Sequence, residues 1–158
     1  MRSVDQWFAE YDASHRHPIN KALHVLCVPA IVMTVIGLAA SVPVPAAMAG
    51  AVPWTSWAAP LALAALIWYA LLSPALAIGA AFALALLFAA VDGLAALAWP
   101  LWQSCVVIFV LAWIGQFIGH AIEGRRPSFF KDLQFLLIGP LWLLAFLYRA
   151  AGLRYARG

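Results

Sequence analysis

The sequence predicts an all-α fold of one kind: a polytopic membrane helix bundle with four spanning helices. A C-terminal helix follows that is interfacial, re-entrant or a fifth span. Three observations predict this class. Hydrophobic residues make up 66% of the 158 residues. Charged residues make up 9%, against about 25% in an ordinary globular protein. The charge is also segregated, with no Lys or Arg between Ala22 and Gly124. A soluble domain of this length could not hide so much apolar surface, and a bilayer removes the need to hide it.

Each element follows from run length and from the residues that stop a helix. A span needs about 20 apolar residues. The first runs over 22–41, with Pro18 suited to the first helical position and the Pro43/Pro45 pair as the stop. A Pro/Ala-rich, uncharged loop leads on to Trp54. The next apolar stretch, 57–91, would be about 52 Å long as one helix at about 1.5 Å per residue. That exceeds a bilayer core of about 30 Å. Ser73-Pro74 breaks it, since proline lacks the N–H and its ring clashes with the preceding turn. The stretch therefore reads as two antiparallel spans, 57–72 and 75–91, with Asp92-Gly93 making the next turn. A fourth span covers 100–119 and ends just before His120.

The last apolar segment, 133–148, is short and carries Gly139-Pro140 near its middle. Three arginines follow its apolar core: Arg149, Arg154 and Arg157. A full crossing would put them opposite the other basic residues, against the positive-inside tendency, so this helix is expected not to cross. The whole chain is expected to form one integral membrane domain, 1–158. The polar and aromatic opening (Trp7, Phe8, Tyr11) does not read as a cleavable signal peptide.

The formal net charge is +3, but its distribution is a topology signal and not a nucleic-acid patch. Arg2, Arg16 and Lys21 precede the first span, and Arg125, Arg126 and Lys131 follow the fourth. The N-terminus is thus expected on the cytoplasmic side, of a bacterial inner membrane or, in a eukaryote, of the endoplasmic reticulum. Cys27 and Cys105 lie in apolar runs and read as small buried hydrophobes.

Chemistry gathers at two places. The N-terminal cluster is His15-Arg16-His17-Pro18-Ile19-Asn20-Lys21-Ala22-Leu23-His24. With a helix from Pro18, Asn20 and His24 are four apart and share a face. The second cluster is Gln116-Phe117-Ile118-Gly119-His120-Ala121-Ile122-Glu123-Gly124-Arg125-Arg126-Pro127. Here Gln116, His120 and Glu123 form one helical stripe. Four crossings place the start of the first span beside the end of the fourth, so all four histidines fall on one side of the membrane. Imidazoles with a carboxylate at the mouth of a bundle suit a divalent transition metal such as iron or zinc. Asn20 and Gln116 are the kind of groups that orient ligand histidines. The plainer reading of any one interfacial histidine is a polar anchor. Glu123 reads as a ligand, a base behind the ligands, or a solvated helix-end charge. Arg125 and Arg126 read as topology determinants or as clamps for a carboxylate.

Together these clusters resemble a family. His15-x-x-Pro18-x-Asn20-x-x-x-His24, then Val28-Pro29, then Gln116-Phe117-x-Gly119-His120 and a Glu123-x-Arg125-Arg126-Pro127 run, is similar to the membrane-embedded 2-hydroxy fatty acid dioxygenases. The likeness covers most of the chain in layout, with about thirty residues carrying its motifs. It implies a non-haem Fe(II) enzyme of fatty-acid α-oxidation. Such an enzyme uses O₂ to cleave C1 from C2 of a 2-hydroxy acid, leaving an acid one carbon shorter. Carried over by position, the metal-binding histidines fall on His15, His24 and His120. His17 is a further candidate in the same cluster, although it stands where a fungal member of that family, a 2-hydroxypalmitate dioxygenase, has Asn. The gap from His120 to Glu123 is one residue shorter than in that relative. Membrane lipids are the other expected partners. The competing readings are a zinc-dependent membrane hydrolase and a non-enzymatic lipid-handling protein.

Overall fold

A computed structural model describes residues 2–45, 56–128 and 134–155. Among these residues there is no strand, and six helices carry the architecture: α1 (Val4–Asp12), α2 (Pro18–Ser41), α3 (Ala58–Leu72), α4 (Pro74–Ala95), α5 (Leu101–Glu123) and α6 (Phe135–Ala150). Position 133, Lys131, Arg157 and most of the loop before Trp57 lie outside the described residues.

α2, α4 and α5 have 24, 22 and 23 residues and are apolar enough to cross a membrane. α3 has the expected position but only 15 residues, about 22 Å at about 1.5 Å per residue. The outer faces carry large apolar side chains with nothing packed on them: Leu26 and Ile78 are each 73% exposed and Phe82 is 70% exposed. Such apolar outer faces, with the three long apolar helices, are consistent with a membrane protein.

The local rules act where they were expected, with one correction. Pro18 opens α2 at its first turn. Ser73 breaks the long apolar run and caps α4, accepting from Leu76 N–H. The expected turn at Asp92-Gly93 is not there, because α4 continues through both residues to Ala95. Gly93 meets no neighbour, and the alanines and leucine around it are strong helix formers. α5 carries the expected stripe of Gln116, His120 and Glu123 past the end of the apolar span. It runs on to Glu123 and ends at Gly124, whose φ of 68° supplies the left-handed cap.

Small residues set the central packing. α2 and α5 run antiparallel at close range, and a Cβ on Gly115 would stand 2.7 Å from the Cys27 sulfur. A Cβ on Gly37 would collide with Cys105, and one on Gly119 with the Asn20 side chain. Gly115 and Gly119 are four apart, the spacing that lets two membrane helices approach. α4 lies parallel to α2, with Val91 beside Gly37 near the C-terminal ends of both.

α1 and α6 form a second layer across one end of this bundle. The Tyr69 hydroxyl donates to the Leu137 carbonyl near the start of α6, at 2.8 Å. The Tyr148 hydroxyl, near the end of α6, donates to the Ala75 carbonyl, also at 2.8 Å. Tyr69 and Ala75 flank the α3–α4 turn, so both ends of α6 meet the same end of the bundle. α1 is a helix that the reading of the sequence did not include. It is closed by a Ser3–Gln6 capping box and packs Trp7 edge-on to Phe135 at 5.2 Å.

Candidate metal centre

The layer of α1 and α6 covers the end of the bundle where α2 begins and α5 stops, and three histidines meet beneath it. His15 lies between α1 and α2, His24 on the second turn of α2, and His120 in the last turn of α5. One ligand atom from each lies within 4.8 Å of the other two. His15, His24 and His120 are 1%, 2% and 4% exposed.

Hydrogen bonds fix which nitrogens face inward. His15 Nδ1 lies 2.6 Å from the Tyr11 carbonyl, and His24 Nδ1 lies 2.9 Å from the Asn20 carbonyl. A carbonyl only accepts, so both Nδ1 atoms carry the proton and both Nε2 atoms present lone pairs. Those two Nε2 atoms are 3.0 Å apart. Facing lone pairs repel, and a cation between them removes the repulsion. Two nitrogen ligands each about 2.1 Å from one ion and at right angles to each other lie about 3.0 Å apart. The His120 ring stands 4.8 Å from the His15 ring and 5.0 Å from the His24 ring, centre to centre. Its Nδ1 is buried with no hydrogen-bond partner among the described residues, so one nitrogen of this ring is left without a protein partner, as a ligand to a shared ion would be. The residues present fit a divalent transition metal.

Burial also lowers the His15 pKa from the ordinary 6.5 to about 4, desolvation of the charged form being the largest cause. His15 is therefore neutral at physiological pH, the form that ligates metal.

Other residues take different posts. Asn20, fully buried, holds His24 through its backbone carbonyl, while its side-chain N–H donates to the Ser14 carbonyl at 3.1 Å. The Glu123 carboxylate does not reach the triad. It accepts from the backbone N–H of Arg16 at 3.0 Å and of His17 at 2.7 Å, and from Asn20 Nδ2 at 3.3 Å. It thereby ties the end of α5 to the chain entering α2. His17 stands apart from the triad: its Nδ1 accepts from Ile19 N–H and caps α2, so its ring is committed to the helix start. Arg125 and Arg126 are exposed in the turn after α5 and do not line the cavity.

Several contributors were not singled out from the sequence. Tyr11 stacks its ring on His15 at 3.8 Å and offers it a carbonyl. Ser14 bridges His15 to Ser128, the two hydroxyls 2.6 Å apart. The Trp142 indole donates to Asp12 at 2.8 Å and pins α6 over the site. The Ser3-x-x-Gln6 pattern was the signal that would have revealed α1 and so brought Tyr11 into view.

The triad opens into a cavity of about 60 Å³ between α2, α5 and α6, with Gln116 on its wall. The model of the 2-hydroxy-palmitic acid dioxygenase Mpo1-like family matches residues 1–151. The chain belongs to that family. Neither curated proteins nor solved structures yield a match. For this Mpo1-like chain the family name points to a dioxygenase with a fatty acid substrate, and the three buried histidines are a group able to hold a metal ion.

Proposed function

We propose that the protein is an Fe(II)-dependent dioxygenase of 2-hydroxy fatty acids, embedded in a membrane as one domain. The observation that carries this reading is the pair of Nε2 lone pairs 3.0 Å apart, with a third buried imidazole beside them, in a chain of the Mpo1-like family. His15, His24 and His120 would hold the ion, and three protein ligands leave room for substrate and oxygen. Fe(II), when bound, supplies the redox chemistry towards O₂ and a site for the 2-hydroxyl and carboxylate of the acid.

The chain's own residues do the rest. Tyr11 and Asn20 fix the tautomers of two ligands. α1 and α6 exclude water. The apolar cavity wall accepts the start of the acyl chain. Written with carbon dioxide and water as the other products, C1–C2 cleavage balances with one O₂ and no external reductant.

In this reading α2 to α5 cross the bilayer and α6 lies at the interface on the side of the triad. Among the described residues the lysine and arginines lie towards that side, which by the positive-inside tendency supports a cytoplasmic location for it. Lipid surrounds the exposed faces and delivers the substrate.

The test is metal analysis of anaerobically purified protein, then incubation with 2-hydroxyhexadecanoate and O₂. Stoichiometric iron and a pentadecanoate product are expected. His24→Ala and His120→Ala proteins should fold in detergent and bind no iron. Zinc in place of iron, with no oxygen consumption, would favour a hydrolase. Full iron retention in both variants would overturn the site.

A further inference from the structure

The cavity has a direction. α2 and α5 are antiparallel, so moving away from the triad means moving forward along α2 and backward along α5. Val32 lies eight residues beyond His24, about 12 Å at about 1.5 Å per residue, and Trp113 lies seven before His120, about 10 Å. Both line the cavity, together with Val28 and Ile31 of α2 and Leu136 and Pro140 of α6. The slot therefore starts at three imidazoles and continues between hydrocarbon walls. Leu136 is 45% exposed while Val28 is buried, so the wall of the slot is more exposed on its α6 side than on its α2 side.

One carboxamide interrupts the apolar wall. Gln116 is 6% exposed and faces the cavity, and its side chain makes no hydrogen bond to a described residue. It lies one helical turn from His120 on the same face of α5, with its Cα–Cβ bond tilted away from the triad and into the slot. Ser128, another polar group on the wall, is already committed to Ser14 at 2.6 Å. The carboxamide borders the cavity, so a polar group of a ligand lying there can hydrogen-bond to it, and a ligand without one leaves it unpaired once the cavity is filled.

We propose that Gln116 is a specificity-determining residue that reads the hydroxyl on C2 of the acid. This rests on the reading of the site given above. An acid bound with its carboxyl end at the imidazoles sends its chain down the slot, past Gln116. The first polar group beyond the carboxylate is then the C2 hydroxyl, whose oxygen would face the ion while its O–H donates to the Gln116 carboxamide oxygen. A hydroxyl both donates and accepts, and so does a carboxamide, whereas a carboxylate only accepts. An unsubstituted acid would leave Gln116 unsatisfied, and rejection of ligands that lack a needed hydroxyl is strongest at such groups.

The experiment compares binding of 2-hydroxyhexadecanoate and hexadecanoate to intact protein in detergent, with and without Fe(II), by tryptophan fluorescence. Metal-free protein reports the preference that the chain itself supplies. It should favour the hydroxy acid by about tenfold, the worth of one buried hydrogen bond. Gln116→Met, close in volume, should abolish that preference, keep hexadecanoate affinity within about twofold, and retain iron. Equal loss for both acids, or an unchanged preference, overturns the proposal. If Gln116→Met does not fold, unaltered metal-free protein decides, and equal affinity for the two acids overturns it. Failure of the dioxygenase reading looks different: unaltered protein then lacks iron or forms no shortened acid, whatever Gln116 does.

Discussion

Asn20 and Gly119 show how a single contact holds the centre together. The Asn20 side chain occupies the space a Cβ at Gly119 would need, and the Asn20 carbonyl holds the proton of His24. Gly119→Ala should force α2 and α5 apart, costing about 1–3 kcal/mol of stability. Metal affinity should fall about 10- to 100-fold, as is common when a partner of a ligand histidine is displaced. Thermal unfolding and competition with a chelator would measure the two effects. Glu123→Ala should behave differently. It removes the acceptor of the exposed Arg16 N–H and the part-buried His17 N–H, at about 0.5–1.5 kcal/mol, but should keep the metal content of unaltered protein. Loss of the metal would make Glu123 a ligand after all.

His15 gives the pH dependence. Its folded pKa of about 4 is below the ordinary 6.5, so between these values the unfolded chain binds a proton that the folded one does not. Its contribution to stability is complete above pH 6.5, declines as pH falls through that window, and is lost below about 4. Metal-free protein should therefore melt at a lower temperature at pH 5 than at pH 7.5, and His15→Gln should reduce that difference.

At the scale of elements, α1 carries more of the site than its nine residues suggest. It supplies the Tyr11 ring and carbonyl, and Asp12 ties it to Trp142 of α6. Trp7 is 5% exposed and meets Phe135 and Trp68 edge-on. Removing that side chain should cost about 3–5 kcal/mol. The loss should show first as faster amide exchange in α1 and α6, ahead of α2 and α5, because the outer layer rests on the inner one and not the reverse. α2 and α5 were legible because a run of apolar residues bounded by Pro18 or Gly124 leaves few alternatives. α1 was not, because a short amphipathic helix has little stability of its own and forms through packing on α6.

For the whole molecule the topology is the exposed claim. With α2 to α5 crossing and α6 at the interface, a single reporter cysteine at Asp92 should be labelled from the side opposite to one at Arg126 or Arg154. Arg126 and Arg154 should label together. Opposite labelling of Arg126 and Arg154 would mean that α6 crosses. The tyrosine bonds at both ends of α6 favour the first result.

Composition and charge placement by themselves determined that this is a helical chain suited to a bilayer, since hydropathy summed over a run of residues does not depend on what the run packs against. The spacing of two histidine clusters was also readable, and with it the family. Only the tertiary structure decided which imidazoles converge, and that Glu123 and His17 are committed elsewhere. Convergence depends on the close approach of α2 to α5 and on a hydrogen bond that turns each ring. Both are contacts between segments distant in the chain, and no local pattern encodes them.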